Sequence, residues 1–244
     1  MHATLDRYVS FIDESSIESY QEPMSILVKF PTRSRPDQFL QTFSTYITKA
    51  DDPKHIRFLI TLDANDDTVT PEFLQTIHNI HPHVKYVVGT SKNKIDAVNR
   101  DMDQAGDYDI LLLASDDMIP VVQGYDRIIR DAMKEHYPDR DGVLFFNDGY
   151  NGSKLNTLSI MGKPYYERFH YLYHPSYKSL YCDNEFMHVA QRLGKQTYFD
   201  QVIIRHDHPK TSVNVKHDAL YQKNYSYTKA DHDNYIQRKR LGFP

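Results

Sequence analysis

The sequence contains no tryptophan and only one cysteine, Cys182, among its 244 residues. A single cysteine excludes an internal disulfide framework and is typical of a reducing compartment. The apolar runs are short, and one of the longest, Ile110 to Ala114, falls well below the ~20 residues that span a bilayer. No segment near the N-terminus has the basic and then apolar layout of a secretion signal. These absences predict a protein without a membrane span, located in the cytoplasm or at the inner membrane face.

A strong charge of one sign is also lacking. The chain has 29 Lys and Arg against 33 Asp and Glu, a net charge of −4. This weak acidity argues against general nucleic-acid binding, which needs a basic surface. A composition of 40% hydrophobic and 25% charged residues is that of a globular chain. Tyrosine (19) and histidine (13) are abundant, and their flat rings with polar ends suit sugar and nucleotide surfaces as well as ordinary packing.

Short apolar runs alternate with segments of helical spacing from Met24 onward. Alternating strands and helices predict an α/β fold, in which a mostly parallel, Rossmann-like sheet has helices on both faces. The run 109–114 is the most hydrophobic, which places its strand in the centre of the sheet. The predicted strands are 25–30, 56–62, 84–88, 109–114 and 142–146, and the predicted helices cover 39–47, a segment from 71, 95–102, 125–133 and 183–193.

Polar side chains follow each of these strands. Ligands of parallel sheets bind at the carboxyl ends of the strands, so these side chains are predicted to share one site. Acidic and basic groups at one edge favour a phosphate and metal site over an apolar pocket. The residues are Thr32, Arg33 and Arg35, then Asp63, then Ser91 to Lys94, then Ser115, Asp116 and Asp117, then Asn147 and Asp148.

Two adjacent carboxylates, Asp116 and Asp117, end the most hydrophobic strand. Like charges this close cost free energy unless a cation or a shared proton offsets them. A divalent ion with oxygen ligands is the usual solution. The alternative is structural, with one aspartate capping the next helix and the other facing water.

The order and spacing of several segments resemble GT-A fold glycosyltransferases, closest to the inverting glycosyltransferase family 2. The resemblance covers roughly residues 24–210. The first part of the chain contributes the turn Pro31–Pro36, Asp63 at the end of the second strand, and Gly89–Lys94 followed by Ala97 and Asn99. Three later segments stand in place of family motifs: Ser115–Asp117 for Asp-x-Asp, Tyr181–Phe186 for Glu-Asp-x-Glu, and Ile203–Pro209 for a late strand with a metal-binding histidine.

This resemblance implies a role for each matched residue. Thr32, Arg35 and Asp63 would hold the base and ribose of a nucleotide-diphosphate sugar, with Arg33 beside them, and Lys94 would lie near the base or the diphosphate. Asp116 would contact the ribose or a metal-bound water. Asp117 would coordinate Mn or Mg, with His206 or His208 as a further ligand or diphosphate contact. Asp183 would be the general base that deprotonates the acceptor.

Each of these roles has a structural alternative. Asp183 precedes a helical stripe and is predicted either as a base or only as the N-cap of that helix. His206 and His208 would share one face of a strand, as a metal pair or as a surface pair. The irregular, aromatic stretch 147–177 would bind the acceptor or line ordinary core. The predicted acceptor-binding residues are Asn147, Asp148, Tyr150, Tyr173 and Glu185.

The predicted organisation has three parts. Residues 1–23 form an N-terminal extension, and residues 24–210 form the glycosyltransferase domain, with a nucleotide-sugar-binding half (24–118) and an acceptor-binding half (119–210). The tail 211–244 carries tyrosines between basic residues. Covering the active site, pairing two subunits and peripheral contact with a membrane surface are three roles open to it.

The predicted function is metal-dependent, inverting transfer from a nucleotide-diphosphate sugar, UDP-linked, to a hydroxyl of a saccharide, glycolipid or glycoprotein glycan. Two features depart from the family pattern, Ser115 at the first acid of the metal motif and Cys182 before the base. An alternative interpretation is therefore a nucleotide-sugar-binding protein without catalytic activity. A phosphatase of the haloacid dehalogenase type is a further alternative, although Asn65 stands where that fold needs an aspartate after Asp63.

Overall fold

The computed structural model describes residues 22–207 and 219–244. A seven-stranded sheet with the order β3-β2-β1-β4-β7-β6-β8 forms its centre. The strands are β1 (Ile26–Pro31), β2 (Ile56–Asp63), β3 (Val84–Gly89), β4 (Ile110–Leu113), β5 (Met118–Pro120), β6 (Val143–Phe146), β7 (Ile160–Gly162), β8 (Gln196–Phe199) and β9 (Ile204–His206). The helices are α1 (Pro36–Thr48), α2 (Pro71–Ile80), α3 (Lys94–Asn99), α4 (Tyr125–His136), α5 (Lys163–Glu167), α6 (Cys182–Arg192), α7 (Ala219–Tyr225) and α8 (Thr228–Arg240).

The sheet is mainly parallel, which confirms the predicted fold class. β1 pairs in parallel with β2 and β4, and β2 pairs in parallel with β3. Only β7 runs antiparallel to its neighbours in this sheet, β4 and β6. β4 occupies the middle position of the seven, as its hydrophobicity predicts. The register aligns Lys29 with Leu113 and Asp63 with Gly89, so the ends of these strands reach one edge.

Alternation along β1 separates two cores. Ile26, Val28 and Phe30 face the first core, which contains apolar residues of α1, α2 and α4. Leu27 faces the second core, which contains residues of α3, α5, α6 and α8. Strands buried on both faces in this way read as continuous apolar runs, which is why the sequence predicts them well.

Three features differ from the sequence predictions. β7 lies inside the stretch that the sequence predicts as irregular, because a three-residue strand gives little periodicity. The helix predicted over 95–102 ends at Asn99, since Asp101 adopts a left-handed φ of 70° and Met102 begins a separate short turn. The strand that ends at His206 leaves the main sheet and pairs with β5 instead.

Part of the predicted C-terminal tail packs on the body of the protein. Helix α8 contacts α6, and Tyr235 of α8 belongs to the second core. Within 22–207 and 219–244, no helix combines the length and apolarity that crossing a bilayer requires. Most of the predicted N-terminal extension and residues 208–218 lie outside the described ranges.

Candidate active site

The turn after β1 sets two arginines against two carboxylates of the sheet edge. Arg33 donates to Asp63 Oδ2 at 2.8 Å, and Arg35 donates to Asp116 Oδ1 at 3.2 Å. The other oxygen of Asp63 accepts the backbone N–H of Ser91 at 3.0 Å. The loops after β1, β2, β3 and β4 therefore converge, as predicted for the carboxyl ends of parallel strands.

A small cleft opens beside this turn. Thr32, Arg33, Arg35 and Asp66 are among the residues that line it. Thr32 is fixed through its backbone N–H, which donates to the carbonyl of Thr61 at 3.1 Å. The first strand therefore ends in a rigid, basic rim.

Asp116 is buried between α1 and the sheet edge. Its backbone carbonyl accepts hydrogen bonds from Thr42 Oγ1 at 2.8 Å and from Gln38 Nε2 at 3.2 Å. Burial raises the pKa of its carboxyl to about 6, the charge of Asp117 adds to the rise, and Arg35 opposes it. The predicted repulsion between these adjacent carboxylates therefore contributes to the raised pKa of Asp116.

Asp117 faces a hydroxyl and an imidazole. The Ser115 hydroxyl donates to Asp117 Oδ1, and His206 Nε2 lies 3.5 Å from Asp117 Oδ2. Burial acts to raise the pKa of Asp117, but the hydrogen bond and charge of His206 outweigh it and hold the pKa well below its usual range. Asp117 is therefore ionised over a wider pH range than Asp116.

A two-stranded ribbon fixes the imidazole. β5 and β9 pair antiparallel with Met118 opposite His206. The backbone N–H of His206 donates to the Asp148 carbonyl at 2.9 Å, and that of Asp207 donates to the Asp117 carbonyl at 2.8 Å. Backbone pairing thus sets the distance between the carboxylate and the imidazole.

The donor set of this ribbon suits a divalent cation in part. Carboxylate oxygen is a preferred ligand of Mg and Mn, and imidazole is a common transition-metal ligand. Among the described residues, no group of three or more His, Cys, Asp or Glu side chains is arranged to hold a metal. Asp117 and His206 would therefore hold an ion only together with substrate phosphates and water, as Mg sites commonly do. His208 lies outside the described residues.

Lys94 stands at the start of α3, next to its N-cap Asn93, whose side chain accepts the Asp96 N–H. The positive charge of Lys94 lowers the pKa values of Asp116, Asp117 and Asp183. One ammonium group therefore lies within electrostatic reach of three carboxylates that belong to separate motifs of the sequence.

Asp183 lies in the first turn of α6. Tyr181, not Asp183, is the N-cap residue, so the alternative prediction that Asp183 only caps this helix is wrong. Its Oδ1 accepts the N–H of the next residue, Asn184, at 2.9 Å. Burial raises the pKa of Asp183, and hydrogen bonding and the charge of Lys94 partly offset the rise. A carboxylate with a raised pKa is a stronger base than one in water.

The predicted acceptor residues after β6 form a tight loop. Asp148 is fully buried and its carboxylate accepts hydrogen bonds from the backbone of Tyr150 and from the Thr157 hydroxyl, at 2.8 and 2.7 Å. Asn147 donates to Asp200 Oδ1 at 2.9 Å. Tyr150 is 43% exposed. Asp148 thus organises the loop from inside, while Asn147 and Tyr150 reach the surface.

The other two predicted acceptor residues are engaged inside the protein. The Tyr173 hydroxyl is 2.9 Å from Ser159 Oγ, and Tyr173 is 6% exposed. Glu185 is 3% exposed, and its carboxylate accepts hydrogen bonds from Tyr177 and Arg238. The polar atoms of Tyr173 and Glu185 therefore already have partners inside the protein. Asn147 and Tyr150 are better placed to contact an acceptor.

A small, partly open cavity lies between α5 and α6. Tyr173 and Glu185 line it together with several aromatic side chains, and Asp183 does not. The cavity is therefore distinct from the polar edge at which the predicted donor residues meet.

One residue of the edge is missed by the sequence analysis. The guanidinium of Arg100 donates to the Leu62 carbonyl and lies 3.8 Å from Asp63 Oδ1. A Cβ at Gly89 would lie 1.9 Å from Arg100 Nη1, so a larger residue there would require the Arg100 side chain to move. Glycine directly after the predicted strand 84–88 is the signal that points to a close neighbour there.

Comparison with solved structures defines the fold class. The mannosyltransferase PcManGT from Pyrobaculum calidifontis, solved with GDP-Man and Mn2+, superposes with a TM-score of 0.65 at 15% identity, over 89% of this chain and 65% of that one. S. aureus TarS 1-349 in complex with UDP gives 0.60 at 15% identity, over 75% and 60%. The complex of the same protein with UDP-GlcNAc gives 0.56 at 16% identity, over 82% and 64%.

The chain therefore has the GT-A-like fold of these glycosyltransferases, as the motif order predicts. It spans less than two thirds of the length of each of them. The sequence matches no protein family description and no curated protein.

The phosphatase alternative is not supported. Both oxygens of Asp63 accept hydrogen bonds, from Arg33 and from the Ser91 backbone, so neither is presented as a nucleophile. The fold found by comparison is that of glycosyltransferases instead.

Proposed function

We propose that this protein is a metal-dependent, inverting glycosyltransferase that uses a nucleotide-diphosphate sugar, UDP-linked, as donor. The observation that carries the proposal is the ribbon at the carboxyl edge of the sheet, which sets the Asp117 carboxylate 3.5 Å from His206 Nε2, next to Asp116 and its partner Arg35. Carboxylates, an imidazole and a guanidinium at that edge provide a metal and phosphate site in one place. The fold shared with sugar transferases supports the same reaction class.

The donor binds in this proposal along the rim formed by the turns after β1 and β2. Thr32, Arg35 and Asp63 contact the base and ribose, and Arg33, which already pairs with Asp63 at 2.8 Å, closes that side. Lys94 contacts the diphosphate, whose charge its ammonium complements. The cation Mn or Mg, when bound, acts as a Lewis acid toward the leaving diphosphate.

Two side chains hold that cation in the proposal. Asp117 supplies an ionised oxygen, and His206 supplies Nε2, 3.5 Å from the carboxylate. Asp116 contacts the ribose or a metal-bound water. The pairing of β5 with β9 supports this assignment because it holds both groups on a rigid backbone.

Asp183 is the general base. Its carboxylate takes the proton of an acceptor hydroxyl while the acceptor oxygen forms a bond to the anomeric carbon. The bond from that carbon to the diphosphate oxygen breaks on the opposite side, and the electron pair leaves with the diphosphate. One displacement inverts the anomeric centre without a covalent enzyme intermediate.

The acceptor is a hydroxyl of a saccharide, glycolipid or glycan. Asn147 and the exposed Tyr150 lie on the loop that meets His206, and they are the residues proposed to contact it. A ring such as Tyr150 offers a flat apolar face with a polar end, which suits a sugar.

A second candidate is a nucleotide-sugar-binding protein without transfer. Ser115 in place of an acid favours it, together with the absence of a three-ligand metal cluster among the described residues. This candidate predicts donor binding without turnover.

The test is a thermal-shift panel of UDP, GDP, UDP-GlcNAc and GDP-Man, each with Mn or with EDTA. A ligand at 100 times its Kd stabilises by ~2.7 kcal/mol, which for a chain of this size is a rise in Tm of roughly 5–10 °C. We expect such a rise for one nucleotide class and its loss in EDTA. No rise with any ligand would overturn the proposal, and binding without release of nucleoside diphosphate would favour the second candidate.

A further inference from the structure

The C-terminal helix α8 holds the loop that leads into α6. Asp231 of α8 is 1% exposed, and its carboxylate accepts three consecutive backbone N–H groups. Lys178 and Ser179 donate at 2.9 Å and Leu180 at 2.8 Å. These three amides immediately precede the N-cap of α6, so one buried carboxylate from a distant part of the sequence fixes the backbone that begins this helix.

The N-cap itself rests on the same helix. Tyr181 has a left-handed φ of 61°, a conformation disfavoured for a residue with a Cβ. Its ring packs on His232 at 5.0 Å and on Tyr235 at 5.9 Å between centroids. Surrounding contacts are what maintain such a backbone conformation, and here α8 supplies them.

A third contact lies just beyond Asp183. Arg238 donates to both oxygens of Glu185, each at 2.7 Å, and Tyr177 donates to the same carboxylate at 2.7 Å. α8 is therefore bonded to α6 on both sides of the residue that carries the proposed base.

We propose that Asp231 is a positioning residue for the transfer reaction, acting through the 178–180 backbone to orient Asp183. The inference rests on the proposed function, because it concerns the base assigned there. Its physical basis is that a carboxylate can accept several N–H groups at once, whereas an asparagine turns a donor toward at least one of them. A helix start that loses this anchor displaces Asp183 and leaves the donor rim around Arg33 and Asp63 in place.

The test compares Asp231→Asn with a matched control. Asp126 of α4 is also fully buried and accepts backbone N–H groups, from Asp51 and Asp52 at 2.8 and 3.0 Å. It belongs to α4, whose Arg130 bonds the Met24 carbonyl before β1, at the opposite edge of the sheet. Asp126→Asn therefore removes a backbone anchor away from the proposed base, and it also breaks the buried ion pair of Asp126 with Arg130 at 2.6 Å.

The readouts are release of nucleoside diphosphate from UDP-GlcNAc and GDP-Man with water as acceptor, and hydrogen exchange of the 178–180 amides. For Asp231→Asn we expect kcat to fall about 10- to 100-fold with an unchanged donor KM, because a displaced catalytic group costs rate and not donor affinity. Amide exchange at 178–180 should rise. For Asp126→Asn we expect a loss of Tm at least as large, because Arg130 also loses its counter-charge, with kcat and the 178–180 amides unchanged.

Equal kcat in Asp231→Asn and Asp126→Asn would overturn the inference, since Asp231 would then be structural only. A fall in kcat together with an equal rise in donor KM would also overturn it. Failure of the proposed function looks different: wild-type protein would release no nucleoside diphosphate, or Asp183→Asn would release it at the wild-type rate.

Discussion

Lys94 is one of several groups that shift the pKa values of three carboxylates at the site. Its ammonium favours the ionised forms of Asp116, Asp117 and Asp183, while burial opposes ionisation of all three. The outcome differs between the adjacent aspartates: the pKa of Asp116 rises to about 6, and that of Asp117 falls because His206 contacts it. Neighbouring carboxylates with divergent pKa values are a common property of functional sites.

Replacing the proposed base tests the chemistry at this scale. Asp183→Asn keeps the size of the side chain and removes its ability to accept a proton at neutral pH. We expect donor binding within about twofold of wild type and a fall in kcat of roughly 100- to 10,000-fold, the usual contribution of a general base. Thermal shift with donor and steady-state release of nucleoside diphosphate measure the two quantities. Unchanged turnover would remove Asp183 from the mechanism.

Replacing the proposed metal ligand should give the opposite pattern. Asp117→Ala removes the ionised oxygen that faces His206, so the Mn-dependent part of the donor-induced rise in Tm should disappear. Asp131→Ala, on the exposed side of α4, is the control and should keep the full shift. A Mn-dependent shift that survives in Asp117→Ala would show that the cation binds elsewhere.

At the scale of elements, the contact between α6 and α8 includes an ion pair between Glu185 and Arg238 and a hydrogen bond between Tyr235 and His188. The carboxylate of Glu185 is 4% exposed and the guanidinium of Arg238 is 18% exposed. Removing one partner of such a pair leaves the other charge without compensation. The apolar contribution to this contact is concentrated in Tyr235, which is 8% exposed.

Arg238→Ala should therefore destabilise the protein by about 3 kcal/mol, because Glu185 stays buried without its counter-charge. The double variant Arg238→Ala with Glu185→Gln should recover part of that loss, since the charge that lacked a partner is gone. Arg240→Ala, exposed on the same helix, should change stability by less than about 0.5 kcal/mol. Denaturant midpoints measure all three, and a loss as small as that of Arg240→Ala would mean that the ion pair contributes little.

Prediction from sequence succeeds where an element is long and buried on both faces. The sequence predicts β1, β2 and β4 as apolar runs that end at a polar residue. The polar residues at these ends also predict that Asp63, Asp116 and Asp117 lie at one edge of the sheet. β7 was not readable, because Ile160–Gly162 is three residues long and lies among aromatic residues. The role of Asp231 is not predicted from the sequence either, since its partners are backbone amides far away in the chain. A carboxylate on a helix without an apolar stripe is typical of a solvent-exposed position.

At the scale of the whole molecule, the protonation of one buried lysine makes the stability of the fold depend on pH. Lys29 is fully buried and donates to Thr61 Oγ1 and, at 2.8 Å, to the Arg100 carbonyl. Burial lowers the pKa of Lys29 to about 7, Arg100 acts in the same direction, and Asp101 opposes both. Above pH 7 the folded protein releases this proton while the unfolded chain keeps it up to pH ~10. The unfolded state then binds more protons, so stability from this group rises with pH between these limits.

Comparison of wild type with Lys29→Met isolates this effect. Between pH 6.5 and 9 the stability of wild type should rise relative to the variant by about 2 kcal/mol, because the cost of burying the ammonium disappears as it deprotonates. Free energies of unfolding from urea titrations at the two pH values give the difference. A relative stability that is flat or falls with pH would show that Lys29 stays charged in the folded protein.

The pairing of β5 with β9 fixes the two ends of the stretch between Met118 and His206 next to each other. Within that stretch, Gly152 adopts a positive φ of 56° with no atom within 4 Å of a Cβ placed there, and such open turns tolerate added residues well. A segment inserted at this turn would lengthen the chain without changing the separation of Asp117 and His206. Under the proposed function, an insertion there would alter the acceptor side of the site and leave the pair of Asp117 and His206 unchanged.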